Sequence, residues 1–341
     1  MTMGIKLGEL VQKRSIAASE LKGKKIAMDA YNILYQFLSS IRTPDGFPLT
    51  NGDGRIVSHL KGCFNRTSSM ISEGIEPIFI FDGIPHELKK GTLELRRERK
   101  KKAQSEWEAA LEAGDLERAR TKAQQTSRLT DEMVDDTKKL LDTMGLPWIQ
   151  APGEGEAQAS YMCSKGDVYC ASSQDFDSLL FGCPRLVRNL AVSGRRKLPG
   201  RREWVSVEPE MIFLEETLQS LSLSREQLVD MAILMGTDFN EGVKGIGPKK
   251  ALSLIREYGS LEEAARVDRI PLLEMEEVRR IFLDPDVTDD YSLAKGRVDR
   301  EAVISLLVDE MQFGREGVEK TLNQLGSMRD TGSQSSLDSF F

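Results

Sequence analysis

Seven carboxylates stand where apolar runs of this chain end: Asp29 after KKIAM, Asp82 after PIFIF, Glu154 and Glu156 after PWIQAPG, Asp175 and Asp177 after DVYCASSQ, and Asp238 after MAILMGT. Open α/β sheets bind ligands beyond the carboxyl ends of their strands. If these runs are buried parallel strands or core helices, the acids therefore gather in one crevice. Anions crowded into a partly desolvated crevice raise one another's pKa values unless cations neutralise them. Oxygen-only donors suit Mg²⁺, with Mn²⁺ as a substitute. The economical chemistry is phosphodiester cleavage by a pair of ions roughly 3.5–4 Å apart that hold the attacking and the leaving oxygen. In Glu154-Gly155-Glu156 and Asp175-Phe176-Asp177 two carboxylates lie two residues apart, and Gly155 lets the backbone come close. Acidic residues also favour helix starts, so either pair alone reads equally well as N-capping. The repetition is what points to ions.

The elements that must position these acids alternate. Residues 24–28 are short, apolar and β-capable, and 29–39 turn helix-like. Residues 57–72 have helical spacing, Gly74 breaks it, and 78–81 form a buried-strand candidate ending at Asp82. Residues 93–143 are helical and strongly charged, interrupted at Gly114-Asp115, which predicts two helices forming an arm or arch. Residues 147–150 read as a strand, Gly153 and Gly155 turn the chain into a helix near Glu156, and 168–171 are a further strand. Residues 186–191 and 203–207 flank SGRRKLPGRR as a hairpin with a long polar loop. Residues 225–235 form a helix ending at Gly236, 248–258 another, and Ser260 with Glu263 opens a third through a capping box. The last ordered helix is expected to end near Leu325, followed by a polar tail with an apolar end. This alternation predicts an α/β protein with a mainly parallel twisted sheet and helices on both faces.

No run approaches the roughly 18 apolar residues that span a bilayer, and the N-terminus lacks the apolar core of a signal peptide, so an intracellular protein is expected. Cys63, Cys163, Cys170 and Cys183 show no C-x-x-C spacing and read as reduced core thiols; with only His59 and His86 besides, zinc chemistry has little to work with. Net charge is −7, yet positive charge concentrates in LKKGTLELRRERKKK, in SGRRKLPGRR and around Lys244, Lys249 and Lys250. An acidic centre flanked by basic patches is what a nuclease needs.

Lys89 and Arg96 open the basic helix just after Asp82. They read either as contacts to a scissile phosphate or as one more solvated helix face. In Gly245-Ile246-Gly247-Pro248-Lys249-Lys250 the glycines allow a tight turn with outward amides, Pro248 suits the first helical position, and the helix start favours phosphate; a packing corner would use similar glycines. Tyr35 reads as a base-stacking ring or as a core tyrosine. Trp107, Trp148 and Trp204 read as packing residues. In the tail, Gln334 leads to Leu337, Phe340 and Phe341. One 3₁₀ turn would set the apolar three side by side as a plug for a partner's pocket, unless they fold back on the chain's own core.

With these residues assembled, the chain resembles the flap endonuclease family, the structure-specific 5′ nucleases of DNA replication and repair. The likeness covers nearly the whole chain through KKIAMDAYNILYQFL, PIFIFDGIPHELKKGTLELR, APGEGEAQASYM, ASSQDFDSLLFG and LMGTDFNEGVKGIGPKKAL. The resemblance implies a 5′ nuclease fold of the PIN-like kind, with a helical arch and a helix–two-turn–helix element. It also implies cleavage of branched or flapped DNA near single-strand/double-strand junctions, endonucleolytic and 5′–3′ exonucleolytic, in lagging-strand maturation and base excision repair. Asp29, Asp82, Glu154 and Glu156 then lean towards one Mg²⁺, and Asp175, Asp177 and Asp238 towards the other. Lys89 and Arg96 match the basic arch residues and Tyr35 the stacking aromatic. Arg42, Gly245, Gly247, Lys249 and Lys250 join Tyr35 as DNA contacts, and the hairpin is similar to one that holds K⁺ through main-chain carbonyls. Gln334, Leu337, Phe340 and Phe341 look like the family's sliding-clamp peptide.

The organisation implied is a monomer with one nuclease domain over residues 1–326, its arch at about 88–135 and its helix–hairpin–helix element at about 225–260, and a flexible tail at 327–341. The family's opening resembles Met3-Gly4-Ile5, so Met1 and Thr2 stand as extra, and an end at Phe341 resembles the shorter archaeal-type form. The rival reading is a non-catalytic adaptor that brings branched DNA to the clamp.

Overall fold

The computed structural model describes residues 7–43, 45–191, 195–197, 204–268 and 275–334. The strands are β1 (Arg14–Ser15), β2 (Lys25–Asp29), β3 (Glu76–Phe81), β4 (Trp148–Gln150), β5 (Cys170–Ser172), β6 (Arg185–Arg188), β7 (Arg195–Lys197), β8 (Trp204–Ser206) and β9 (Glu210–Phe213). Seven of them form one sheet in the order β1-β9-β6-β5-β2-β3-β4. The run from β6 to β4 is parallel, while β9 and β1 close one edge antiparallel. From β2 the chain adds β3 and β4 on one side and then returns to add β5 and β6 on the other. The gap between β2 and β5 is therefore a topological switch point, where open α/β sheets form their ligand crevice.

The central strands are buried on both faces, which is why they read as continuous apolar runs. Ile26, Met28, Phe79 and Phe81 point into one core and Ala27, Ile78 and Ile80 into the other, the period of two that a pleated strand imposes. The first core is completed by α1 (Ala30–Ser40), α2 (Ser58–Ser72), α5 (Asp131–Thr143), α13 (Arg300–Ile304) and α14 (Arg315–Gln334). Helices α1 and α2 cross so closely that a Cβ on Gly62 would lie 2.2 Å from the Phe37 ring. The second core is sealed by α6 (Gly155–Lys165). A third gathers α7 (Asp177–Leu180), α8 (Leu214–Leu221), α9 (Arg225–Met235), α10 (Pro248–Tyr258), α11 (Leu261–Asp268) and α12 (Met275–Leu283) into a helical lobe. Buried Asp230 pins that lobe, bonding Arg279 at 2.7 Å and accepting from the Leu261 N–H at 3.1 Å.

Several elements differ from expectation. The charged stretch makes three helices, not two: α3 (Lys90–Glu112), α4 (Leu116–Ala123) and α5. The break at Gly114 is as expected, with φ at +68° and Asp115 capping α4. A second break precedes Thr130, which caps α5, and α5 packs into the body through Leu140 and Leu141. Only α3 and α4 stand out as an arm, around Trp107, Ala110, Ala119 and Ala123. The expected hairpin of 186–191 with 203–207 does not form: β6 pairs with β9, a strand not expected from the sequence, and the basic segment forms its own two-stranded ribbon, β7 with β8. Helix α14 runs past Leu325 to Gln334. The cysteines are free and buried, as expected. Among the described residues no helix is long and apolar enough to cross a membrane.

Candidate metal and nucleic-acid site

Asp29 is the last residue of β2 and Asp82 directly follows β3. Glu154 is the N-cap of α6 beyond β4, with Glu156 in the first turn; Asp175 follows β5 and Asp177 begins α7. Four adjacent parallel strands thus deliver six acids to one end of the sheet. The seventh, Asp238, arrives from the helical lobe, in the turn after α9 that Thr237 and Asn240 fix by a 2.8 Å hydrogen bond. The turns are tightly fitted. Gly155 N–H donates to Asp82 Oδ1 at 2.8 Å, and a Cβ at Gly155 would stand 2.7 Å from that oxygen, so no larger residue fits there without moving Asp82.

Burial and mutual repulsion mark the cluster. Burial pushes Asp29 up to about 6, against hydrogen bonds from Asn32 and Ser173. Burial, then the charges of Asp29 and Glu154, push Asp82 to about 7. Burial, then Asp177 and Asp29, push Asp175 to about 8, and burial with Asp177, Asp29 and Asp175 drives Glu156 well above its usual range. All seven acids belong to this one network, since Asp238 lies near enough to Asp175 to raise it.

Two cations from the arm's base are seated in the crevice. Lys89 bonds Glu154 and lies 3.9 Å from Asp238, over the Phe239 ring; Arg96 Nη2 meets Asp238 Oδ1 at 2.5 Å. Burial works against the Lys89 charge, but Glu154, Asp82 and Asp238 together outweigh it and raise its pKa. Among the described residues no three candidate ligands are gathered closely enough to hold an ion as they stand. The ligand set is assembled by strand and helix but closed on basic side chains. Its chemistry nonetheless fits hard divalent cations, because the donors are all oxygen, the acids outnumber the two basic groups, and four acids have pKa values raised by burial first and by neighbouring acids second.

The remaining expected residues divide. The Tyr35 ring, half-buried, is covered by Lys100 of α3, whose Nζ lies 4.5 Å from its centroid. The Arg42 guanidinium donates to Leu38 O at 2.9 Å, Gly46 O at 2.8 Å and Ser127 Oγ at 2.9 Å, tying the loop after α1 to the chain beyond α4. Gly245 has φ at +86°, Gly247 caps α10 with no side-chain acceptor, and a Cβ at either would meet nothing within 4 Å, so the turn's backbone is bare outward, with Lys249 and Lys250 exposed beside it. Gln334 ends α14, and Leu337, Phe340 and Phe341 lie outside the described residues. Sequence reasoning missed Asn32, Ser173 and Ser178. Asn32 Nδ2 donates to Asp175 Oδ2 at 3.1 Å, Ser173 Oγ to Asp29 Oδ2 at 3.2 Å, and Ser178 Oγ to Glu156 Oε1 at 3.1 Å. Their proximity to the acids in sequence was the available signal.

Residues 3–103 match the XPG N-terminal domain and residues 145–238 the XPG I-region. Flap endonuclease 1 of Archaeoglobus fulgidus is 50% identical over 339 residues, 99% of this chain and 100% of that protein. The chain belongs to the flap endonuclease 1 family. Flap endonuclease 1 of Pyrococcus furiosus is 48% identical, covering 99% of each chain. The solved flap endonuclease-1 of Methanococcus jannaschii superposes with a TM-score of 0.75 at 44% identity, covering 94% of this chain and 98% of that one. The catalytic core of Rad2, solved in complex with DNA substrate, superposes with a TM-score of 0.68 at 25% identity, covering 92% and 96%. The flap endonuclease fold is thus shared over 94% of this chain, and the seven acids stand in the part matched to the two XPG regions.

Proposed function

We propose that this chain is a Mg²⁺-dependent, structure-specific 5′ nuclease that removes single-stranded flaps from duplex DNA beside the junction, with 5′–3′ exonuclease activity at the same site. Membership of the flap endonuclease 1 family makes it a nuclease acting on phosphodiesters. The observation that carries the two-ion reading is the delivery of six carboxylates by four adjacent strand ends, with Asp238 opposite. Asp29, Asp82, Glu154 and Glu156 would hold one ion and Asp175, Asp177 and Asp238 the other, some through water. Bound there, such ions activate water as the nucleophile and offset charge on the leaving 3′ oxygen.

Lys89 and Arg96 turn from Glu154 and Asp238 towards the scissile phosphate once their neutralising role is taken over, and stabilise charge developing on its oxygens. The bare amides at the start of α10, with Lys249 and Lys250, hold a duplex phosphate; such contacts read no sequence but fix where the junction lies. The carbonyls of the Gly245–Gly247 turn hold K⁺, and Tyr35 stacks on a base when Lys100 leaves its face. Gln334, Leu337, Phe340 and Phe341 dock on a sliding clamp, the nuclease itself acting as a monomer.

The test is cleavage of a 5′-labelled double-flap DNA with Mg²⁺ or chelator, wild type beside Asp177→Ala, with the cut mapped to the nucleotide. One Mg²⁺-dependent cut beside the junction, absent in a variant that still binds DNA, is expected. Binding without cleavage by the wild type under any divalent ion would turn the reading to the adaptor.

A further inference from the structure

Nothing covalent fixes the distance between Asp29 and Asp175. They leave neighbouring strands on opposite sides of the switch point and stand 146 positions apart in sequence. Two neutral side chains span that gap. Asn32, in the first turn of α1, donates its backbone N–H to Asp29 Oδ1 at 3.0 Å and its side-chain Nδ2 to Asp175 Oδ2 at 3.1 Å. Ser173, 3% exposed, answers from the other strand: its Oγ donates to Asp29 Oδ2 and accepts the Asp175 backbone N–H, both at 3.2 Å. The four residues close a ring in which every tie is a hydrogen bond and no charge is added.

We infer that Asn32 and Ser173 are positioning residues that set the separation of the two ion seats and so the coupling between the two binding events. The inference rests on the proposed assignment of Asp29 to one seat and Asp175 to the other. Carboxylates left to themselves would swing apart to relieve their repulsion, and the second ion would then have to gather its ligands against the field of the first. A neutral donor holds a carboxylate without consuming the charge an ion needs. Lysine at position 32 would compete for the seat, as Lys89 does at Glu154. The hydroxyl of Ser173 is used as donor and acceptor at once, which no amide-free aliphatic of that size reproduces. Removing such an outer hydrogen bond typically costs roughly 10–100-fold in metal affinity.

The experiment titrates Mg²⁺ into wild type, Asn32→Ala and Ser173→Ala, reading the thermal midpoint without DNA and the single-turnover rate on a flap substrate. Each variant is expected to need about 10–100-fold more Mg²⁺ to reach half its maximal thermal shift. Its rate deficit should be largest near the Mg²⁺ concentration that half-saturates the wild type and shrink as Mg²⁺ rises further, with a lower Hill coefficient about the variant's own midpoint. A merely structural defect depresses the rate equally at all concentrations, and that result, or unmoved midpoints, overturns the inference. If one variant does not fold, the other carries the test, since they remove opposite sides of the ring. A wild type with no Mg²⁺-dependent shift refutes the metal site itself, whereas a clear wild-type shift reproduced in both variants refutes only the tie.

Discussion

Take the Cys163→Ala variant, which removes a thiol that its hydrogen bond with Cys183 holds down at about 7 and whose ionisation would oppose the effect, free it of divalent ions and raise the pH from about 6.5 to about 8.5. In the unfolded chain carboxylates titrate near pH 4 and are fully ionised across this window. In the fold Asp82 stands at about 7 and Asp175 at about 8, both lifted first by burial and then by neighbouring acids, and Glu156 lies well above its usual range. The folded state therefore holds more protons, and stability is lost as pH rises through the folded values. Each pH unit over which the fold keeps a proton the unfolded chain has lost costs about 1.4 kcal/mol. Asp175 keeps its proton over about 1.5 units of the window, or about 2 kcal/mol, and Asp82 adds less than about 1 kcal/mol. Glu156 acts in the same direction, and because the acids share one repulsion a total of about 2–4 kcal/mol is expected rather than a simple sum. The window starts above the range of His59, which burial and then Arg55 push down to about 4 and whose unfolded form would otherwise bind protons and mask the effect. At about 2 °C per kcal/mol for a chain of this size, the melting midpoint should fall by about 4–8 °C. Mg²⁺ binds the ionised acids, so its stabilisation should grow with pH and flatten or reverse the slope. Calorimetric melts at both pH values, with chelator or with millimolar Mg²⁺, measure all four midpoints. A metal-free midpoint that stays level or rises would refute the electrostatic account of the crevice.

Three further outcomes are expected. Gly155→Ala places a methyl 2.7 Å from Asp82 Oδ1 and should slow single-turnover cleavage by about 100-fold, at a cost of about 1–3 kcal/mol in stability; a near-normal rate would mean that Asp82 does not act from this position. Lys89→Ala combined with Arg96→Ala should lower the single-turnover rate by roughly 10²–10³-fold, and an unchanged rate would remove both from the chemistry. Deleting residues 334–341 should leave cleavage of naked flaps intact and abolish stimulation by a sliding clamp. Stimulation that survives the deletion would assign clamp contact to another surface.

The acids were legible because a strand buried on both faces is a continuous apolar run, and the residue that ends it in an open parallel sheet faces the crevice. The boundaries of α9 and α10 were legible for local reasons too, Ser224 and Gly236 bracketing one and Pro248 and Gly259 the other. What failed depended on distant partners. Nothing local says that Leu186 and Val187 pair with Ile212 and Met211 rather than with the nearer 203–207. Helix α5 was merged into the arm because its charge resembles that of α3, although Val134, Leu140 and Leu141 recur at helical spacing and mark a face for the body. The partners of Arg42 were equally hidden. Its acceptors are two backbone carbonyls and a serine hydroxyl 85 residues away, and carbonyls leave no trace in a sequence.

The arm owes its shape to a core of only four buried residues, Trp107, Ala110, Ala119 and Ala123, separate from the cores that hold the sheet. Its attachments to the loop after α1 are few, among them the Phe47 ring edge-on to Trp107 at 5.0 Å and the Arg42 bond to Ser127. A unit with so little apolar surface of its own opens at a free energy far below that of global unfolding. Helices α3 and α4 should therefore exchange their amide hydrogens on a clock of their own while β2, β3 and β5 stay protected. Opening the arm leaves the strand ends, and the acids they carry, where they are. The ease with which the arm opens can therefore change through Trp107 or Ala123 without any change at the carboxylates.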